Sequence, residues 1–443
     1  MKQTFSDSKL ENIFSKLYKP TIHNPQSMTA GRSPVHVVYG GAHLFKSDTA
    51  KKLGRIALKS LQEYAPTAED LRDILQIDGK IAARVFQSVS AKLQNEAVED
   101  FRIDFEDGYG FRSDEEEDAH AVTASDELAK GFAENTLPPF CGFRIKSFQT
   151  ETAKRAVRTL DLFLTNLLEK TDGKLPANFV VTLPKVEQAG QVTVLADLLA
   201  EFERQNDLPE KSLKLEILIE TPLAIVNEAG EINLRKLVEA AESRCVAAHF
   251  GAYDFTSSFG ITAEHQHLRH PLCDFARNWM QAALAPTGIR LSDSVTTLMP
   301  VPVHRGENLS EEQIKENREA VWKAWLEHFE NVTYSLSNGF FQSWDLHPSQ
   351  LVARYAAVYA FFLNSAPSSA QRLSAFLDKA TKANLTGNQF DDAASANGLL
   401  NFFGRALSCG AMNEAEILET TGLNPEELHS GSFARIMENR NFR

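Results

Sequence analysis

Acids and cations recur at one kind of place in this chain. The run LEILIETPLAIV, residues 215–226, is apolar and reads as a buried strand, yet it carries Glu220 just ahead of Thr221 and Pro222. A carboxylate there is costly if it is buried without a partner. The placement repeats elsewhere. Asp104, Glu106 and Asp107 close VEDFRIDFED, and Arg144 and Lys146 lie late in FCGFRIKSF. Lys185 and Glu187 end NFVVTLPKVE, and Asp254 stands near the end of CVAAHFGAYDF. If these ends share one mouth, the set suits a hard divalent cation and an anionic substrate. Mg²⁺ takes oxygen ligands, is held by one or two carboxylates, and leaves its other positions to water and substrate.

The elements that must position these residues are strands alternating with helices. The strand candidates start at Val35, Val98, Phe140, Asn178, Leu213 and Cys245, with two weaker ones at Arg290 and Gly339. Several middle runs are nearly continuous in apolar residues, as parallel strands covered on both faces are. Between them, segments such as ETAKRAVRTLDLFLTNLLEK and EEQIKENREAVWKAWLEHF place apolar residues at three- and four-residue spacing. About eight such units predict an α/β chain folded as a (β/α)8 barrel, whose strand ends meet at one face, rather than a doubly wound open sheet. The expected boundaries are an N-terminal helical segment over 1–32, the barrel over 33–364 and a C-terminal helical extension over 365–443, with NSAPSSAQ (364–371) as the linker.

Bulk properties narrow the partners. The chain has 443 residues, 43% of them hydrophobic, with a formal net charge of −13. That charge argues against nucleic acid or an anionic membrane as partner. No apolar run reaches the roughly 20 residues of a membrane helix, and MKQTFSDSKLENIF lacks the apolar core of a signal peptide. Cys141, Cys245, Cys273 and Cys409 lie far apart. Free thiols in a cytoplasmic protein are the expectation.

Six motifs in order, DFEDG, FRIKS, VVTLPKVE, ILIETP, HFGAYDF and WDLHPSQL, resemble the aldolase/citrate lyase β-subunit superfamily, which includes the HpcH/HpaI aldolases and is related to malate synthase. The resemblance implies a metal-dependent lyase that makes or breaks a carbon–carbon bond, by aldol or Claisen chemistry, in a small 2-oxo acid or its hydroxy-oxo adduct. It implies Mg²⁺, with Mn²⁺ or Co²⁺ as alternatives, held by Glu220 and Asp254. Arg144 would face the substrate oxygens and stabilise the enolate, for which its planar fork is suited. Asp104, Glu106 and Asp107 would lie near the metal-bound waters, with Lys185, Glu187, Thr221 and Pro222 beside the substrate. GNQFDD resembles the superfamily's C-terminal GKMID segment, which makes Asp391 a catalytic candidate beside Asp107. Homo-oligomers, trimers or hexamers with the C-terminal helices crossing between subunits, follow from the same resemblance. The loop after the first strand, GGAHLFKSDTAKK, departs from the pattern by lacking the arginine of members that use coenzyme A. A free oxo acid is therefore favoured over a coenzyme A thioester, the citryl- or malate-synthase-like alternative. A barrel that binds metabolites without turnover is the non-enzymatic one.

Other features have plain structural readings. SDEEEDAH, from Ser113, is a capping box. EHQHLRH puts His265, His267 and His270 together without zinc spacing and reads as a solvated loop near the mouth. His43 and His347 fall at strand ends, where capping or packing competes with catalysis.

Overall fold

The computed structural model describes residues 31–379, 384–386, 389–391, 393–430, 435–436 and 439–440. Most of the expected N-terminal segment lies outside them. Eight parallel strands close on themselves: β1 (His36–Gly41), β2 (Asp100–Asp104), β3 (Phe140–Arg144), β4 (Phe179–Leu183), β5 (Lys214–Ile219), β6 (Cys245–Phe250), β7 (Arg290–Val295) and β8 (Gln342–Asp345). Closure is made by β8 pairing with β1, so the sheet is a (β/α)8 barrel and not an open one. Register aligns the strand ends into one rim, with Gly41 opposite Asp104, Asp104 opposite Arg144 and Arg144 opposite Thr182.

Strand alternation decides what the rim receives. In β5, Leu215, Ile217 and Ile219 join the core between sheet and helices, while Glu216 and Leu218 turn inward. In β2, Phe101 and Ile103 face the helices, and Asp100, Arg102 and Asp104 face the interior. That interior is more polar than nearly continuous apolar runs suggest. Arg102 donates to Glu216 through Nε (3.0 Å) and Nη2 (2.7 Å) and also reaches Asp100. Gln342 donates to Asp100 at 3.1 Å, and Thr182 to Glu216 at 3.2 Å. Buried charges persist when their partners satisfy them in this way.

Helix starts follow the local chemistry of the sequence. Ser113 and Glu116 form the expected capping box on helix Asp114–Ala133, with bonds of 3.2 and 3.0 Å. His270 accepts the Leu272 N–H at 3.1 Å and caps helix Pro271–Leu284, which accounts for one member of the histidine cluster. Among the described residues no helix is long and apolar enough to cross a membrane, and all four cysteines are free and buried.

The stretch expected as a linker is helix. Gln350–Lys379 runs unbroken through 364–371, with Pro367 inside it. Leu363, Ala366, Ala370, Leu373 and Phe376 are buried at helical spacing, and that periodicity outweighs the proline and serines. The extension then forms a short hairpin (Asn384–Thr386 with Gln389–Asp391) and helices Ala393–Ser408, Glu414–Thr421 and Pro425–Ser430. The end of helix Ala393–Ser408 lies beside the residues just ahead of β1 and β8. Ser408 accepts from the Ser33 N–H, Arg84 donates to the Ala411 carbonyl and Glu416, and Arg405 lies 4.5 Å from the Phe341 ring centre.

Candidate active site

At the C-terminal rim the end of β2 organises its neighbours. Asp104 is buried and both of its oxygens are doubly engaged. They accept Arg144 Nε at 2.7 Å and Nη2 at 2.5 Å, and the backbone N–H groups of Glu106 (3.0 Å) and Gly108 (2.7 Å). A side chain at Gly108 would bring a Cβ within 2.6 Å of Asp104 Oδ2, so the turn needs glycine. Arg144 is thus clamped by a bidentate pair, with its guanidinium 4.9 Å from the Tyr39 ring centre. Its remaining nitrogen, Nη1, faces Glu106 (3.2 Å) and Asp107 (3.5 Å).

Lys185 ties this cluster to β5. Its backbone is left-handed, with φ of 51°, a conformation that an L residue adopts only when the surroundings hold it. Its N–H donates to Glu220 Oε1 at 2.6 Å, while its ammonium bonds Glu106 and, at 3.0 Å, Asp107. Burial raises the Glu106 carboxyl, and Arg144 only partly offsets it. Asp107 is lowered, because the hydrogen bond with Glu106 and the charges of Arg144 and Lys185 outweigh its burial.

Glu220 is only 2% exposed. Burial, then the charge of Asp254, pushes its carboxyl up to about 8, with Arg144 pulling the other way. Its second oxygen faces Gly251, where a Cβ would stand 2.7 Å from Oε2. Asp254 is exposed in the first turn of helix Ala252–Ser258. No group of three or more histidine, cysteine or acidic side chains is gathered for a metal among the described residues. A pair of carboxylates, one of them buried with an unbonded oxygen, still fits a cation that takes its other ligands from water and substrate.

The remaining candidates divide. Thr221 caps the short helix Pro222–Ile225, accepting the Ala224 N–H at 3.3 Å. Glu187 is half-buried, with its N–H on Gln191. Lys146 donates to the Phe105 carbonyl (2.9 Å) and pairs with buried Glu117 (3.0 Å). His347 accepts the Ser349 N–H at 3.2 Å, and His43 packs edge-on against Tyr109. Both imidazoles are lowered, mainly by burial. Asp391 ends the hairpin strand Gln389–Asp391, and its side chain lies outside the described residues. Sequence reasoning missed Tyr39, Trp344 and Tyr253. The signal available was parity, since Tyr39 and Trp344 occupy inward positions of the first and last strands.

A family profile, the domain of unknown function DUF6986, matches residues 24–436. The chain belongs to the DUF6986 family. No curated protein matches it in sequence. Among solved structures, a citrate lyase from Burkholderia xenovorans LB400 superposes with a TM-score of 0.54 at 18% identity, covering 88% of this chain and 97% of that one. A Haloferax volcanii malate synthase, crystallised as a lead(II) complex, reaches 0.42 at 17% identity over 63% and 70% of the two chains. The CitE protein of Mycobacterium tuberculosis, in complex with magnesium and acetoacetate, reaches 0.40 at 17% over 74% and 91%. For this DUF6986 member, the first of these gives the barrel fold and nothing finer.

Proposed function

We propose that this DUF6986 protein is a divalent-metal-dependent carbon–carbon lyase, of aldol or Claisen type, acting on a small 2-oxo acid or its hydroxy-oxo adduct. The observation that carries the reading is Glu220, a buried carboxyl raised to about 8 with one oxygen unbonded, set between Asp254 and the Arg144 cluster. Isolated buried acids neutralise or find a cation. Glu220 and Asp254 would hold the metal, Mg²⁺ with Mn²⁺ or Co²⁺ as substitutes. When bound, such an ion polarises a carbonyl oxygen as a Lewis acid.

The chain's own residues supply the rest. Asp104 fixes Arg144 before substrate arrives, so the guanidinium needs no reorganisation as negative charge develops on an enolate oxygen. The Nη1 edge, now shared by Glu106 and Asp107, is where that oxygen would be received. Lys185 bonds both acids through its ammonium. Asp107 would take the proton. Asp391 is the other candidate for this transfer. Use of a free oxo acid fits the loop after β1, which offers no arginine for a coenzyme A phosphate.

The test is a panel of 4-hydroxy-2-oxo acids and 3-hydroxyacyl-coenzyme A thioesters, with and without Mg²⁺, followed by mass spectrometry. The expected result is metal-dependent release of a 2-oxo acid that Glu220→Gln abolishes. Thioester cleavage instead would move the assignment to the coenzyme A branch. Binding of Mg²⁺ and oxo acid with no turnover would make the chain a metabolite-binding barrel.

A further inference from the structure

Val37 of β1, Leu218 of β5, Val295 of β7 and Trp344 of β8 form a buried apolar cluster separate from the outer core, with Tyr39 and Tyr253 packed against it. Tyr39 and Trp344 stack at 4.4 Å between ring centres. This surface begins at the ionic site itself. Arg144 covers Tyr39, and Tyr253 precedes Asp254 in the same helical turn. The loop after β7, which Tyr253 meets at Thr297, exposes Met299 and Val303, and Leu346 after β8 is exposed as well.

The wall is built rather than incidental. Buried Gln350 donates to the carbonyls of Thr296 (2.8 Å) and Leu298 (3.4 Å), and its Oε1 accepts the Leu346 N–H (2.8 Å). It thereby joins the loops after β7 and β8. Asn331 donates to Thr296 Oγ1 at 3.1 Å, and Tyr253 meets Thr297 at 3.1 Å. Trp344 itself is 9% exposed, and its buried indole N–H has no acceptor among the described residues. Tyr39 and Tyr253 are partly exposed over this buried cluster, and aromatic surface beside a polar site suits a ligand's apolar part.

We infer that the substrate carries an apolar substituent, alkyl or aryl, that lies against Trp344 and leaves along Met299 and Val303, with its acid end at Arg144. This rests on the proposed function for the acid end alone. The experiment titrates the Mg²⁺-loaded protein calorimetrically with linear 2-oxo acids from pyruvate to 2-oxooctanoate, and in parallel with linear alkanoates. Affinity is expected to tighten by about fourfold per methylene over roughly the first four added carbons. Trp344→Ala should flatten that slope and Trp344→Phe should keep most of it. Exposed Met299→Gln with Val303→Ser should flatten its far end, which keeps the test available if the tryptophan variant does not fold. A flat series in which pyruvate binds overturns the inference and leaves the oxo-acid reading standing. If no 2-oxo acid binds, that reading falls, and the alkanoates decide the wall: a slope lost in the variants supports it, and a flat series sinks it. A flat series together with a self-association that Met299→Gln with Val303→Ser dissolves would assign the rim to a second copy of the chain.

Discussion

Glu220 makes the sharpest residue-scale predictions. Its carboxyl is raised from the usual range to about 8, so in the metal-free protein its contribution favours folding below the ordinary carboxylate range. That contribution is lost as pH rises through about 8. Metal-free wild type should therefore lose melting temperature relative to Glu220→Gln between pH 5 and pH 9, read by differential scanning fluorimetry. Mg²⁺ competes with the proton, so the increase in melting temperature on adding it should be larger at pH 8.5 than at pH 6 and absent in the variant. An increase independent of pH would remove Glu220 from the metal site. Arg144→Lys keeps the charge but loses the fork clamped by Asp104. On the proposed function it should cost about 10²–10³ in turnover with little change in fold, checked by steady-state kinetics beside circular dichroism. Glu220, Asp254 and Arg144 were legible as candidates from residue type and strand-end position. The clamp on Arg144 was not, because it depends on Asp104 and Arg144 lying in register on adjacent strands, which no local window contains.

At the scale of elements, the rim depends on close approaches that only glycine permits. Gly251 sits in ordinary backbone, but a Cβ there would come within 2.5 Å of Glu220 Cβ. Gly251→Ala should displace Glu220, destabilise the fold by about 1–3 kcal/mol and weaken Mg²⁺ affinity, measured by denaturant titration and calorimetry. Wild-type Mg²⁺ affinity in that variant would show that Glu220 can move without consequence. In the barrel interior, Arg102→Met would strip Asp100 and Glu216 of the buried guanidinium that bonds both, at a cost of about 3–5 kcal/mol. The alternation of strands and helices was readable throughout, and all eight strands fall where apolar or alternating runs stand. The inward set was harder to see, because an inward Arg102 and an inward Leu218 occupy the same parity and only closure of the sheet defines an inside. The proline-serine stretch misled for a related reason. Its turn signals are local, and the burial that overrides them comes from the barrel and the later helices.

For the whole molecule, the resemblance implies a trimer or hexamer, to be measured by light scattering at several concentrations. The extension's contacts with its own barrel bear on how that measurement should be made. A chain cut after Pro367 would lose the helical turns that bury Leu373 and Phe376 and all the helices packed on them. It should be insoluble or melt more than about 10 °C lower, rather than change only its assembly state. A truncated chain with native melting would show the extension to be an independent appendage.

The unbroken helix Gln350–Lys379 also bears on how the molecule comes apart. Near its start Arg354 holds Asp345 of β8 at 2.8 Å, and the Tyr355 hydroxyl donates to the Ala97 carbonyl ahead of β2 at 2.8 Å. Its far half is the surface on which the extension rests. Opening the barrel at the β8–β1 seam should therefore release the extension in the same event. Amide hydrogens in β8 and in helix Ala393–Ser408 should exchange with deuterium at a common rate as denaturant approaches the midpoint, so the seam of the barrel and the last helices form a single cooperative unit.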